Sequence, residues 1–127
     1  MKEYRNPEEV HAPLGTYTQQ IEVTEAKRWL VFSGQIGMDK AGNLSEDPVE
    51  QFRVALDNIS LNLTAAGMGV KDLVKLTFYF VGDVDPRQRG KILKEWLGGH
   101  EPCMTLLQVA ALAAPTIFVE IDAEACV

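Results

Sequence analysis

The sequence predicts an α+β domain in the order ββ-α-β-α-ββ, a mixed sheet with two helices packed on one face. Three observations predict it. Two Asp-Pro pairs, Asp47-Pro48 and Asp85-Pro86, each open a stretch whose apolar residues recur at helical spacing. Short runs rich in β-branched and aromatic residues stand before, between and after those stretches. The chain has 127 residues, 46% hydrophobic and 24% charged, which suits one domain with a real core and no staples.

The elements follow in chain order. In Tyr17 to Val23, alternation puts Tyr17, Gln19, Ile21 and Val23 on one face of a half-exposed strand. Trp29 to Gly34 reads as a buried strand, and a hairpin through Thr24 to Arg28 is expected to join the two. Gly37 to Asp47 is a loop by composition. Asp47 then serves as N-cap, Pro48 takes the first helical position, and Glu50 completes a capping-box pattern. Phe52, Leu56, Ile59 and Leu63 form the apolar stripe of this helix, and Gly67 ends it as a left-handed cap. Leu73 to Val81 is a strand. Asp85, Pro86 and Gln88 start a second helix with Ile92, Leu93, Trp96 and Leu97 on its apolar face, stopped by Gly98-Gly99. Met104 to Ala111 and Thr116 to Ala125 complete the sheet, with Glu120, Asp122 and Glu124 on the face opposite Val119, Ile121 and Ala123. Two helices cover only one face of such a sheet, so an oligomer is expected to cover the other.

Several chemistries are excluded by what the chain lacks. With 12 Lys+Arg against 18 Asp+Glu the net charge is −6, which opposes a broad phosphate-binding surface. Arg87, Arg89, Lys91 and Lys94 on the second helix form a local basic cluster, read as a solvated face, and RNA is not an expected partner. The charged start Met1-Lys2-Glu3-Tyr4-Arg5 leads into no apolar segment, and no run reaches the roughly 18 residues of a membrane span. A cytoplasmic location is the expectation. Cys103 and Cys126 have no metal or redox spacing, and Gly34-Gln35-Ile36-Gly37 lacks the features of a nucleotide loop, so no cofactor or metal is expected. His11 and His100 fit no triad. That leaves the polar groups at strand ends, Tyr17, Ser33 and Glu120. Of these, Glu120 is the acid–base candidate, provided a neighbouring subunit covers its face and makes it a cleft carboxylate.

Over nearly its whole length the chain resembles the RidA family, also called YjgF or, in older usage, endoribonuclease L-PSP. The marks are Tyr17 after Ala12-Pro13 and Gly15, Ser33-Gly34-Gln35, Gln51 with Asn58, Ala66-Gly67, Pro102, and Val119-Glu120-Ile121. The resemblance implies a chorismate-mutase-like fold, a homotrimer with clefts between subunits, and cofactor-free hydrolysis of small enamines and imines such as 2-aminoacrylate to 2-oxo acids and ammonia. It implies a small-molecule site built from Tyr17, Ser33, Gly34, Gly90, Met104 and Leu106, with Glu120 placing the attacking water.

This chain departs from the family where the substrate carboxylate is held. Family deaminases carry an arginine two residues after the signature proline, and Pro102-Cys103-Met104 puts a thioether there instead. A thioether has no charge and no donor, whereas a guanidinium grips a carboxylate bidentately. Gly90 stands in place of a frequent cleft asparagine and Leu106 in place of a cysteine. The expectation is a more apolar cleft, with weak or absent activity on 2-imino acids. The alternatives are a non-catalytic binding or chaperone-like module and, with less support, an endoribonuclease.

Overall fold

The computed structural model describes residues 1–127. Its elements are β1 Lys2–Arg5, β2 Gln20–Val23, β3 Trp29–Val31, β4 Gln35–Ile36, α1 Pro48–Ala65, a 3-10 turn Val70–Asp72, β5 Leu73–Val81, α2 Pro86–Leu97, β6 Cys103–Val109 and β7 Val119–Cys126. The principal sheet is five-stranded, in the order β3-β7-β5-β6 with β4 also paired to β7. Only β5 and β6 run parallel, because α2 carries the chain back across the sheet between them. The expected α+β order is present, with β1 and β4 added to it.

The hairpin expected between β2 and β3 does not form. Strand β2 pairs instead with β1, Tyr4 opposite Ile21, in a separate two-stranded sheet, while β3 pairs with β7. The physical reason lies in residues 24–28, whose backbone groups are already spent on the two ends of the chain. Thr24 N–H donates to the Met1 carbonyl at 2.9 Å, and Lys27 and Arg28 N–H groups both donate to the Val127 carbonyl. The segment is therefore a crossing between sheets rather than a turn. Tyr17 lies outside β2, in a loop ahead of it.

Helix α1 starts and stops as its residues dictate, with one exception. Asp47 accepts the Val49 N–H at 3.0 Å, and Pro48 follows it. Glu50 does not close a capping box: the Asp47 N–H goes to the Ser45 hydroxyl at 3.0 Å, and Glu50 pairs with Arg53 instead. At the far end, Met68 N–H donates to the Leu63 carbonyl and Gly67 N–H to that of Thr64, a Schellman closure with Gly67 at φ 69°. Helix α2 has the same logic. Asp85 accepts from Arg87 and Gln88 N–H groups, and Gly98 at φ 58° ends it.

The core lies between these helices and one face of the sheet. Phe52, Leu56, Ile59 and Leu63 of α1 pack on Leu76, Phe78 and Phe80 of β5 and on Val119 and Ile121 of β7. Phe52, Phe78 and Phe80 form an aromatic trio with centroids 5.8 to 6.2 Å apart. Each such ring contributes about 1.5–3 kcal/mol by leaving water. Two amides tie α1 to the loops around it. Buried Gln51 donates to the carbonyls of Ser45 and Thr116 and accepts the Phe118 N–H, so every polar atom of its head is used. Asn58 donates to the carbonyls of Ile36 and Met38. Gly37 lets this happen: a Cβ there would meet the backbone of Gln51.

The opposite sheet face has no covering layer. It presents Lys75, Thr77 and Tyr79 of β5 in register with Glu124, Asp122 and Glu120 of β7, beside Trp29 and Val31 of β3, which are 54% and 72% exposed.

Candidate functional site

On the helix-covered side, a cavity of about 330 Å³ opens between the loop ahead of β2, helix α2 and strand β6. The loop brings Leu14 to Tyr17, α2 brings Arg89, Gly90 and Leu93, and β6 brings Met104 and Leu106; Phe52 and Phe78 reach it from the core. The loop is held by Thr18, whose N–H donates to the Pro102 carbonyl and whose hydroxyl donates to that of Glu101. Pro102 thus fixes both Met104 and, through Thr18, Tyr17. The Tyr17 hydroxyl accepts the Leu14 N–H at 3.1 Å, which keeps its own O–H free to donate. On β6, alternation turns Met104 and Leu106 to the cavity side, opposite Leu76 and Phe78 of β5.

Gly90 stands in the middle of α2, where glycine weakens a helix by roughly 0.5–1 kcal/mol relative to alanine. A Cβ added there meets nothing within 4 Å. Gly90→Ala is therefore expected to raise the thermal midpoint by about 2–4 °C, read by scanning calorimetry. A fall in the midpoint would show that the backbone at this position needs glycine.

Glu120, Ser33 and Gly34 are elsewhere. Glu120 lies on β7 between Ile36 of β4 and Tyr79 of β5, and it projects from the uncovered sheet face. Its half-buried carboxylate sits over Gly34, in the space that a Cβ at that residue would take. Within the chain it has neither an ion pair nor a side-chain hydrogen bond. The neighbouring Asp122 is spent, since it accepts the Tyr79 hydroxyl at 3.0 Å. That bond, with the Asp122 charge, burial and the charge of Glu120 behind it, holds the Tyr79 phenol above its ordinary pKa. Ser33 is exposed beside Gly34, its carbonyl accepting from the Gln35 amide.

The residues singled out from the sequence therefore fall into two groups. Tyr17, Gly90, Met104 and Leu106 line one cavity; Ser33, Gly34 and Glu120 form a second cluster outside it. One further residue was grouped wrongly by the sequence. Arg89 does not share the solvated face of Arg87, Lys91 and Lys94: it is half-buried and lines the cavity. The signal was present, because Arg89 is three and four residues before Ile92 and Leu93 on the apolar face, while Arg87, Lys91 and Lys94 share another.

The remaining reactive groups suit no other chemistry. Burial pushes the Cys103 thiol above its ordinary pKa, and the opposing charge of Lys75 does not reverse this, so it stays protonated at neutral pH. Each histidine bonds a backbone carbonyl, His11 that of Ala12 and His100 that of Leu73. No helix is long and apolar enough to cross a membrane, and no group of three or more His, Cys, Asp or Glu is arranged to hold a metal ion.

Known proteins match the chain over most of its length. The family described as Endoribonuclease L-PSP matches residues 8–127. The chain is 32% identical over 125 residues to PH0854, a RutC family protein of Pyrococcus horikoshii, covering 97% of this chain and 96% of that one. It is 36% identical over 103 residues to the 2-iminobutanoate/2-iminopropanoate deaminase of Rattus norvegicus, covering 80% and 73% respectively. Among solved structures, YyfB of Yersinia pestis, a Rid family protein of unknown function, matches with a TM-score of 0.87 at 26% identity, over 99% of this chain and 98% of that one.

Proposed function

Because the chain belongs to the RidA/YjgF family, the family of endoribonuclease L-PSP, we propose that it hydrolyses a small enamine or imine to a carbonyl compound and ammonia. We place the reaction in clefts between the subunits of a cytoplasmic homotrimer. The observation that carries this reading is the Glu120 carboxylate, half-buried, seated over Gly34 and bound to nothing in its own chain. Such a group is available to hold a water molecule and exchange protons with it. The cavity with Tyr17, Gly90, Met104 and Leu106 lies on the other side of the sheet, so the two clusters meet only if a second copy supplies one of them.

The chemistry balances without a cofactor. An enamine first moves a proton from nitrogen to its β-carbon and becomes an imine. Water then adds to the imine carbon, giving up a proton to Glu120 while the nitrogen takes one from solvent. Glu120 returns its proton to the amine, the C–N bond breaks, and ammonia leaves as the oxygen's remaining proton passes to solvent and the carbonyl forms. The Tyr17 O–H and Ser33 hydroxyl orient the ligand by hydrogen bonds, and Met104 and Leu106 give it an apolar wall.

Met104 argues for a substrate other than a 2-imino acid. Without a guanidinium at that position the expected loss of affinity for a carboxylate beside the imine carbon is about 2–5 kcal/mol. Wild type is therefore expected to turn over 2-aminoacrylate slowly, with Met104→Arg raising kcat/KM at least about tenfold. Fast wild-type turnover, not improved by the substitution, would overturn the assignment of Met104. The endoribonuclease alternative is weakened by Arg89, whose inward turn leaves Arg87, Lys91 and Lys94 as the outer basic face in an acidic chain.

A further inference from the structure

The cavity that lost one guanidinium holds another. Arg89 lines it from α2 together with Gly90 and Leu93, and Met104 and Leu106 line it from β6. Its position is fixed by two contacts. The Nε–H donates to the Val84 carbonyl at 3.1 Å, just ahead of the helix, and the guanidinium carbon stands 5.0 Å from the centroid of the Phe80 ring. These contacts set the plane of the group while using one of its five N–H donors. The four N–H groups on its Nη atoms have no hydrogen-bond acceptor in the chain, and no carboxylate pairs with it, although the chain has 18 Asp and Glu residues. A half-buried guanidinium, oriented but unneutralised in an otherwise largely apolar cavity, is a receptor for an anion.

We propose that Arg89 is the specificity-determining residue of this cavity, and that its ligands are small carboxylates whose charge binds at α2 while an apolar body packs on Met104, Leu106 and Phe78. The inference deepens the reading of this cavity as the substrate-binding half of the site and rests on it. It also makes sense of the methionine. A charge entering from α2 is not the family's charge on β6, so the preferred ligand carries its carboxylate at the end of an apolar chain rather than beside the reacting carbon. Gly90, which lines the same cavity, adds no side chain to it, and a Cβ there would meet nothing within 4 Å outside its chain neighbours.

The test is binding of pentanoate and of its neutral isostere pentanamide to the full chain in its native assembly, by titration calorimetry or ligand-observed NMR. Wild type is expected to bind pentanoate at least about tenfold more tightly than pentanamide. Arg89→Met, which keeps the packing of the stem, is expected to lower pentanoate affinity about 10- to 100-fold, the range of charge-assisted hydrogen bonds, and to leave pentanamide within about twofold. Arg89→Gln, whose amide still reaches for the Val84 carbonyl, carries the same expectation and serves if Arg89→Met does not fold. Equal binding of the two probes by wild type, binding of neither, or a parallel loss for both in the variants would overturn the proposal. None of these outcomes depends on Glu120; conversely, a Glu120 variant with unchanged turnover would defeat the hydrolytic reading and leave anion binding standing.

Discussion

Replacing Glu120 by glutamine is expected to lower turnover of an enamine or imine substrate by about 10²- to 10⁴-fold, the usual span for loss of a positioned acid–base group. The side chain keeps its size, so its seat over Gly34 is preserved. Because the carboxylate bonds to nothing in its own chain, stability is expected to change by less than about 0.5 kcal/mol. Steady-state kinetics paired with a thermal melt therefore separates the two effects. A fall in kcat with a constant KM and midpoint supports a role in proton transfer. Unchanged kinetics would return the protein to the binding-module alternative, for which Glu120 is dispensable.

The largest expected effect on stability belongs to Gly37→Ala. The space for a Cβ there is filled by Cα, carbonyl carbon and oxygen of Gln51, which are backbone atoms and cannot rotate away. Relief requires α1 to move off β4. Its first turns carry Phe52, Ala55 and Leu56, each at most 1% exposed, so the shift would open the core beneath them. It would also pull the Gln51 amide from the carbonyls of Ser45 and Thr116 and from the Phe118 N–H, each loss worth about 1–3 kcal/mol when the group stays buried. A destabilisation above about 4 kcal/mol is expected, measured as a drop in the urea midpoint or as failure to fold. A loss below about 1 kcal/mol would mean that α1 slides on the sheet without consequence.

How much of this was legible depends on where the determining contacts lie. The helices were readable because their limits are local: an Asp-Pro start, and a glycine that alone tolerates the left-handed turn at Gly67 and Gly98. Strand β5 was readable from its aromatic and β-branched residues, and the structure then shows buried and half-buried residues alternating over Leu76 to Val81. Strands β1 and β4 were not. β1 is a charged tetrapeptide held by Arg5 bridging Glu3 and Glu22, and β4 is two residues recruited by β7. The capping box at Glu50 failed because Ser45, outside the helix, reached the same N–H first.

For the site, Tyr17 was singled out as a strand-end polar group and by the family pattern, Gly90, Met104 and Leu106 by the family pattern alone, and the four do share one cavity. Alternation along β7 also placed Glu120 on the face away from Val119 and Ile121. What no local rule revealed was that the two groups lie on opposite sides of one sheet. Arg89 was legible from its spacing to Ile92 and Leu93 but was grouped by charge with Arg87, Lys91 and Lys94; only its exact direction, set by Val84 and Phe80, needed the docked helix.

Strand β6 ends the sheet with one flank unpaired, and Leu106 and Leu107 near its centre are 46% and 39% exposed. Edges of this kind are commonly guarded by lysine, proline or a bulge, and Thr105-Leu106-Leu107-Gln108 has none of these. An uncovered edge of this kind is a template for strand addition. Substituting Leu107 by lysine, the usual guard of such an edge, is therefore expected to slow aggregation of the isolated chain, as read by light scattering.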